Sequence, residues 1–316
     1  MAVIGVFDSG EGGLSVLREI TRLLPEDRYV YYSDNAHCPY GEKSPECIID
    51  RARTITERLL SEGADIIVVA CNTATAAAIA TLRAEYSDVT SETVRSRVLA
   101  LTSGRHDHIR FIGMEPAVKP AALGTNTGVV GVLATAGTLK GSKYLHTKES
   151  VDDNVEVVEH VGQGFVELVE NGVLSGPEAE KVVGESLKPL LEAGADIIVL
   201  GCTHYPFLLP VLQKVAGPDV QFIDPAPAVA RQLLNVMKDE KLLPTETAAS
   251  LLPRRHSGLS VQALASKDET PSSHGTTVVC AKQYMPDITL LSSGDPAPLH
   301  RLFRMLYGGS ASDCKA

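Results

Sequence analysis

One internal echo constrains this chain more than anything else in it. The stretch Gly63-Ala64-Asp65-Ile66-Ile67-Val68-Val69-Ala70-Cys71-Asn72-Thr73 returns, little changed, as Gly194-Ala195-Asp196-Ile197-Ile198-Val199-Leu200-Gly201-Cys202-Thr203-His204. Each copy reads as a helix end, an apolar strand, and a thiol at the strand's carboxyl edge, followed by hydroxyl and amide side chains. In open α/β sheets that edge is where ligands bind. A second pair of strands matches as well. Ile4-Gly5-Val6-Phe7-Asp8-Ser9 is paralleled by Val130-Gly131-Val132-Leu133-Ala134-Thr135, each lying a similar distance ahead of its cysteine. Two matched strands in register predict a duplicated α/β unit, with generic α/β similarity as the plainer alternative. If the two cysteine edges face each other, two thiols lie on opposite sides of one small molecule. Moving a proton from one face of a carbon to the other needs that arrangement.

The rest of the chain alternates short β-branched runs with amphipathic segments, the pattern of parallel sheets joined by crossover helices. Strands are expected at Ala2–Phe7, Tyr29–Tyr32 and Asp65–Ala70. Helices are expected at Gly12–Leu24, Pro45–Glu62 and Ala74–Glu85. The first carries Leu14, Leu17, Ile20 and Leu24 on one face and stops at Pro25. Two segments fit neither period. Ser87–Arg110 is polar and reads as an extended connection, and Thr245–Thr277, rich in Ser, Thr and Pro, reads as a surface insertion. Leu290–Tyr307 resumes as a turn, Gly294-Asp295-Pro296, and a helix.

With 316 residues, 44% hydrophobic and 22% charged, the chain is long enough for two domains. A net charge of −10 argues against nucleic acid as a partner. Six cysteines with no paired spacing outside the echo do not make a disulfide scaffold and fit a reducing cytoplasm. The N-terminus runs into a strand broken by Asp8, so no signal peptide is expected. The most apolar window, Ala64–Leu82, carries Asp65, Asn72 and several threonines and is not a membrane span.

Asp8-Ser9-Gly10-Glu11-Gly12-Gly13 follows the first strand and opens a helix, which exposes N–H groups suited to a carboxylate or phosphate. A dinucleotide fingerprint is disfavoured, because the third glycine is missing and Asp8 and Glu11 would flank a pyrophosphate. Asp8 reads as a base partner for Cys71, or as a turn or N-cap residue. A thiol is a weak base at a free pKa of about 8.5 and needs a partner. His204, two residues beyond Cys202, can serve that thiol. Other readings stay open here: buried cysteines as small hydrophobes, Cys202 with His204 as half of a hydrolase site, or zinc on Cys71, Cys202 and His204. The Tyr40 hydroxyl and its neighbouring N–H groups could hold a distal carboxylate. His37 and His106 read as solvated loop residues. Asp65 and Asp196 read as capping or turn residues at the opposite sheet edge.

Taken together, Phe7-Asp8-Ser9-Gly10, Pro39-Tyr40-Gly41, Cys71-Asn72-Thr73, Ala134-Thr135 with Thr138, Leu168-Val169-Glu170 and Gly201-Cys202-Thr203-His204-Tyr205-Pro206 resemble the glutamate racemase family, in order and over most of the chain. Where that family often has a Cys-Pro pair ahead of the Glu170 segment, this chain has Gly162-Gln163-Gly164.

The resemblance implies two pseudo-symmetric α/β domains with the active site between them. One is residues 1–115 with 226–316, the tail returning to it, and the other is residues 116–225. It implies cofactor-independent racemisation, with no metal. Cys71 would abstract the α-proton of D-glutamate and Cys202 that of L-glutamate. Asp8 would assist Cys71, and His204, with Glu170, would assist Cys202. Substrate contacts would come from Ser9, Pro39, Tyr40, Gly41, Asn72, Thr73, Thr135, Thr138 and Thr203. The product would supply peptidoglycan synthesis in a bacterial cytoplasm, and a homodimer is expected. The rivals are an aspartate or hydantoin racemase of the same superfamily, and a thiol hydrolase built on Cys202 and His204.

Overall fold

A computed structural model describes residues 1–243 and 286–308. The segment Thr245–Thr277 and the cysteines Cys280 and Cys314 lie outside the described residues. In chain order the elements are β1 (Val3–Asp8), α1 (Leu14–Leu23), β2 (Arg28–Ser33), α2 (Pro45–Ser61), β3 (Ile66–Val69), α3 (Asn72–Tyr86), α4 (Glu92–Leu101), β4 (Phe111–Gly113) and α5 (Val118–Gly124). There follow β5 (Val129–Ala134), α6 (Ala136–Leu139), α7 (Ser142–Glu149), β6 (Glu156–Val161), α8 (Phe165–Glu170), α9 (Pro177–Glu192), β7 (Ile197–Gly201) and α10 (Leu209–Ala216). The last are β8 (Gln221–Ile223), α11 (Ala226–Asp239), β9 (Asp287–Ser292) and α12 (Ala297–Tyr307).

The strands form two sheets, ordered β4-β3-β1-β2-β9 and β6-β5-β7-β8, and every pairing is parallel. The fold is α/β with two parallel sheets flanked by helices. The echo in the sequence is an echo in register. Ile4 pairs with Ile66 in the first sheet, and the matching residues Val130 and Ile197 pair in the second. Even the aspartates at the far edge do equivalent work. Asp65 accepts the Val3 N–H at 2.8 Å, and Asp196 accepts the Asn126 N–H at 2.7 Å. Both are anchors for the strand that follows or adjoins them. His106 is held in the same cluster, its Nε2 2.7 Å from Asp65, so it is a structural residue and not a solvated one.

Both central strands are buried on each face, as parallel strands covered by helices must be. β3 and β7 contain no exposed residue. α1 puts Leu14, Leu17 and Ile20 into the core and packs on α11, so the segment after the second sheet returns to the first half. β9 completes that return by pairing with β2 from Arg28↔Asp287 to Ser33↔Ser292.

Two elements depart from the sequence reading. Ser87–Arg110 is not an extended connection but contains α4, capped by Ser91, whose hydroxyl accepts the Val94 N–H. Its periodicity is weak because Val98 alone is buried. The helix is held at its side by Arg97, which stacks 4.5 Å over the Tyr86 ring and pairs with Glu57 at 2.8 Å. β9 starts at Asp287, ahead of the turn at Gly294, and is an edge strand whose short alternating run is hard to see beside a long polar stretch.

Candidate active site

The site forms where the carboxyl ends of β1, β3 and β7 meet. At the end of β1, Asp8 is fully buried. Its Oδ1 accepts the Ser9 N–H at 2.8 Å, and its Oδ2 accepts the Gly13 N–H at 2.5 Å and the Thr203 hydroxyl at 3.0 Å. The last of these bonds joins the two halves of the molecule. Cys71 is the N-cap of α3: its sulfur accepts the Ala74 N–H at 3.4 Å and donates to the Ser9 hydroxyl at 3.5 Å. Ser9 Oγ in turn lies 3.4 Å from Asp8 Oδ1. The Asp8 carboxylate therefore reaches Cys71 through Ser9 and not by direct contact, a relay the sequence reading did not include. Burial, with the Asp8 charge behind it, pushes the Cys71 thiol up, and the Ala74 and Ser9 contacts offset only part of that. The thiol is the resting form.

The second thiol has a different neighbour. Cys202 Sγ lies 3.7 Å from His204 Nδ1, and His204 Nε2 lies 2.5 Å from Glu170 Oε1. Burial alone would pull the imidazole down. The hydrogen bonds to Cys202 and Glu170 outweigh it and hold His204 well above its ordinary value. Burial likewise works against the Glu170 charge, but the His204 hydrogen bond keeps this carboxyl below the usual range. The two sulfurs are both nearly sealed from solvent, at 5% and 8% exposure. Each has its own titratable neighbour, carboxylate through hydroxyl on one side and imidazole backed by carboxylate on the other.

In the glycine-rich turn between β1 and α1 the protein's own carboxylates take up some of the N–H groups: Gly13 donates to Asp8, and Glu11 to Glu170 at 2.9 Å. Glycine is required at position 12 because a Cβ there would lie 2.5 Å from His204 Nδ1 and 2.6 Å from Thr203 Oγ1. The Cys202-Thr203-His204 loop of the second half packs directly on the backbone of the first.

The remaining expected contacts sort by what their polar atoms already do. Thr73 Oγ1 lies 2.8 Å from Thr135 Oγ1, and Thr138 Oγ1 lies 3.0 Å from Thr135 Oγ1, a hydroxyl triangle spanning the two halves. Gly41 lies against Thr135. The Tyr40 hydroxyl is not available to a distal carboxylate: it donates at 2.5 Å to buried Asp34, which Arg51 grips with two hydrogen bonds. This fixes the Pro39-Tyr40-Gly41 turn, so that its backbone, not the phenol, is what can meet a substrate. The Thr203 hydroxyl is likewise committed to Asp8. Asn72 is the opposite case. It is 4% exposed, and neither polar atom of its amide has a partner among the described residues. A buried donor and acceptor left open cost stability unless a ligand completes them.

Known proteins resemble this chain over most of its length. Residues 105–233 match the Asp/Glu/Hydantoin racemase family. The chain is 46% identical over 247 residues to a glutamate racemase of Ectopseudomonas mendocina, covering 78% of this chain and 86% of that one. It is 47% identical over 240 residues to one of Methylococcus capsulatus, covering 76% and 81%. Its fold superposes on a crystal structure of a Bacillus anthracis glutamate racemase isoform with a TM-score of 0.71 at 27% identity, covering 100% and 97%. The chain belongs to the glutamate racemase family.

Two residues that border this site carry no signal in the sequence. Read from sequence, Glu11 is only a charge that repels a pyrophosphate. It is fully buried, accepts hydrogen bonds from Ser33 at 2.5 Å and Asn35 at 3.1 Å, and faces Glu170. Burial first, then Glu170, push its carboxyl up to about 7. Cys38 belongs to the cysteines without paired spacing and directly precedes Pro39-Tyr40-Gly41. Its sulfur packs beside Gly10, close to Glu170.

Glu11 gives a stability prediction. The folded protein binds its proton more tightly than the unfolded chain does. That stabilisation is complete below pH 4.5 and lost as pH rises through about 7. Glu11→Gln is expected to remove roughly 3 kcal/mol of the pH-dependent loss across this window. Denaturant unfolding at several pH values checks it: equal slopes in parent and variant would contradict the shift.

Proposed function

We propose that this enzyme interconverts L- and D-glutamate by two-thiol proton transfer and supplies D-glutamate for peptidoglycan in a bacterial cytoplasm. The single observation that carries this reading is the pair of thiols at matched strand ends, each with a separate proton acceptor. Cys202, beside an imidazole held well above its ordinary value, removes the α-proton of L-glutamate. Cys71, held as a thiol, delivers a proton to the opposite face. In the reverse direction Cys71, its proton passed through Ser9 toward Asp8, abstracts from D-glutamate, and Cys202 protonates with His204 and Glu170 behind it.

The α-proton is weakly acidic, and this scheme has no electron sink of the kind a pyridoxal cofactor provides. Stabilisation must then come from neutral donors aimed at the carboxylate as charge builds on it. Asn72, the N–H groups at the start of α3, the backbone of Pro39-Tyr40-Gly41, Ser9, Thr73, Thr135 and Thr138 supply them. The Thr73–Thr135 bond must part for substrate to enter, so the halves 1–115 with 226–316 and 116–225 act as two jaws. A homodimer is part of the same proposal, and sedimentation measures it.

Circular dichroism of the purified, reduced protein with each enantiomer, and no added cofactor, tests the reading. Decay of the signal to zero from both sides is expected with glutamate and not with aspartate or a hydantoin. Decay only with aspartate would move the enzyme to the rival specificity. Asn72→Ala tests the open amide: folding stability should change by less than about 1 kcal/mol, since no buried partner is stranded. Substrate binding should weaken about 30-fold, the worth of one hydrogen bond to a charged group. An unchanged KM would remove Asn72 from the site.

A further inference from the structure

Cys38 has no part in the two-thiol mechanism, yet it is half-buried at the edge of the site. A Cβ on Gly10 would come within 3.0 Å of its sulfur, and Gly10 also abuts the Glu170 carboxylate. The Cys38 sulfur, a Glu170 carboxylate oxygen and a His204 ring nitrogen all lie within 4.8 Å of one another. This is a different trio from the Cys71, Cys202 and His204 considered from the sequence. We infer that Cys38, Glu170 and His204 form a binding site for zinc, and that an ion bound there switches the racemase off.

One sulfur, one nitrogen and one oxygen are a zinc donor set, whereas magnesium and calcium take oxygen ligands. Zinc bonds of about 2.0–2.3 Å place tetrahedral ligands roughly 3.5 Å apart. Side-chain rotations that open the 2.5 Å Glu170–His204 contact and draw Cys38 inward bring the trio to that spacing and leave a fourth position for water. Asp8 and Glu170 lie around the glycine-rich turn and supply the negative field a dication needs. On binding, the Cys38 thiol proton leaves to solvent, and thiolate, imidazole and carboxylate donate their lone pairs to the ion.

The consequence for Cys202 follows from the two faces of one ring. His204 Nε2 faces Glu170, so it is the nitrogen on the metal's side, while Nδ1 faces Cys202. An ion on Nε2 replaces the Glu170–His204 hydrogen bond, which is the contact that positions the ring against Cys202. This inhibition rests on the two-thiol reading; the metal binding does not.

Cobalt(II) is the probe, because a thiolate–cobalt bond gives a near-ultraviolet charge-transfer absorption whether or not the enzyme turns over. The reduced full-length protein, Cys38→Ser, Cys38→Ala, Cys47→Ser and Cys202→Ala are titrated with cobalt and then with competing zinc. Racemisation is followed in parallel with and without zinc. The parent, Cys47→Ser and Cys202→Ala should show the band. Both Cys38 variants should lose it, with affinity down at least about 100-fold, the upper end of the cost of losing even an outer-shell partner. Before metal is added, Cys38→Ser should racemise glutamate as the parent does, which also reports an intact cleft, and it should resist zinc. No band in the parent, or a band and zinc inhibition that survive in both Cys38 variants, would overturn the site. A band that follows Cys38 in a protein that racemises nothing would keep the site and discard the racemase reading instead.

Discussion

Replacing either Cys71 or Cys202 with alanine is expected to abolish racemisation in both directions, by at least about 10⁴-fold, the upper end of a general acid–base contribution. Inversion needs a proton removed from one face and another delivered to the other, so one surviving thiol cannot complete it. Half of the chemistry should survive, and that is the more telling result. In deuterated water, Cys71→Ala should still wash the α-hydrogen of L-glutamate into solvent through Cys202 and His204, without forming D-glutamate. Cys202→Ala should do the same to D-glutamate through Cys71. The parent should place deuterium in the product while the remaining substrate gains little. Turnover that persists in Cys71→Ala, with a trappable acyl-enzyme, would establish the hydrolase reading. Mass spectrometry of the separated enantiomers decides among these.

The second large effect is expected at the imidazole. His204→Asn removes the group between Cys202 and Glu170 and should lower kcat/KM by about 10²–10³-fold. Because the two enantiomers have equal free energy in solution, kcat/KM must fall by the same factor in both directions. An asymmetry can appear only in kcat and KM taken separately. Glu170→Gln should lose less, since it leaves the ring in place and takes away only the charge that holds His204 Nε2 at 2.5 Å. It should also move the pH profile of kcat/KM, because Glu170 helps hold the imidazole above its ordinary value. A His204→Asn enzyme with parental kcat/KM would remove the histidine from proton transfer. A Glu170→Gln enzyme with an unmoved profile would reduce Glu170 to a structural cap on the Glu11 N–H.

The repeat was legible because strand sequences answer to burial. Ile66–Val69 and Ile197–Gly201 are sealed on both faces, so both copies have remained apolar, and the cysteine after each is visible by contrast. Elements stabilised by polar contacts were not legible in this way. α4 is held by Arg97 on Tyr86 and Glu57 and buries only Val98, so its sequence carries no apolar stripe to read. β9 is six residues at a sheet edge, and its partner β2 lies more than half the chain away. Within the site, side chains chosen by type could be named, but not what each hydroxyl faces. Tyr40 and Thr203 looked like free donors and are spent on Asp34 and Asp8, while Asn72 is the amide left open.

The order of residues along the chain determined the two α/β units, their shared register and the presence of a thiol at each matched edge. These follow from local periodicity and from the burial of parallel strands, both of which are written into neighbouring residues. Tertiary structure alone decided that Ser9 stands between Asp8 and Cys71, that Glu170 reaches the Glu11 N–H from the other half, and that Cys38 lies beside Glu170 and His204. The Glu11–Glu170 contact alone joins positions 159 apart. Their distances depend on how two separately folded sheets pack, which no local pattern records.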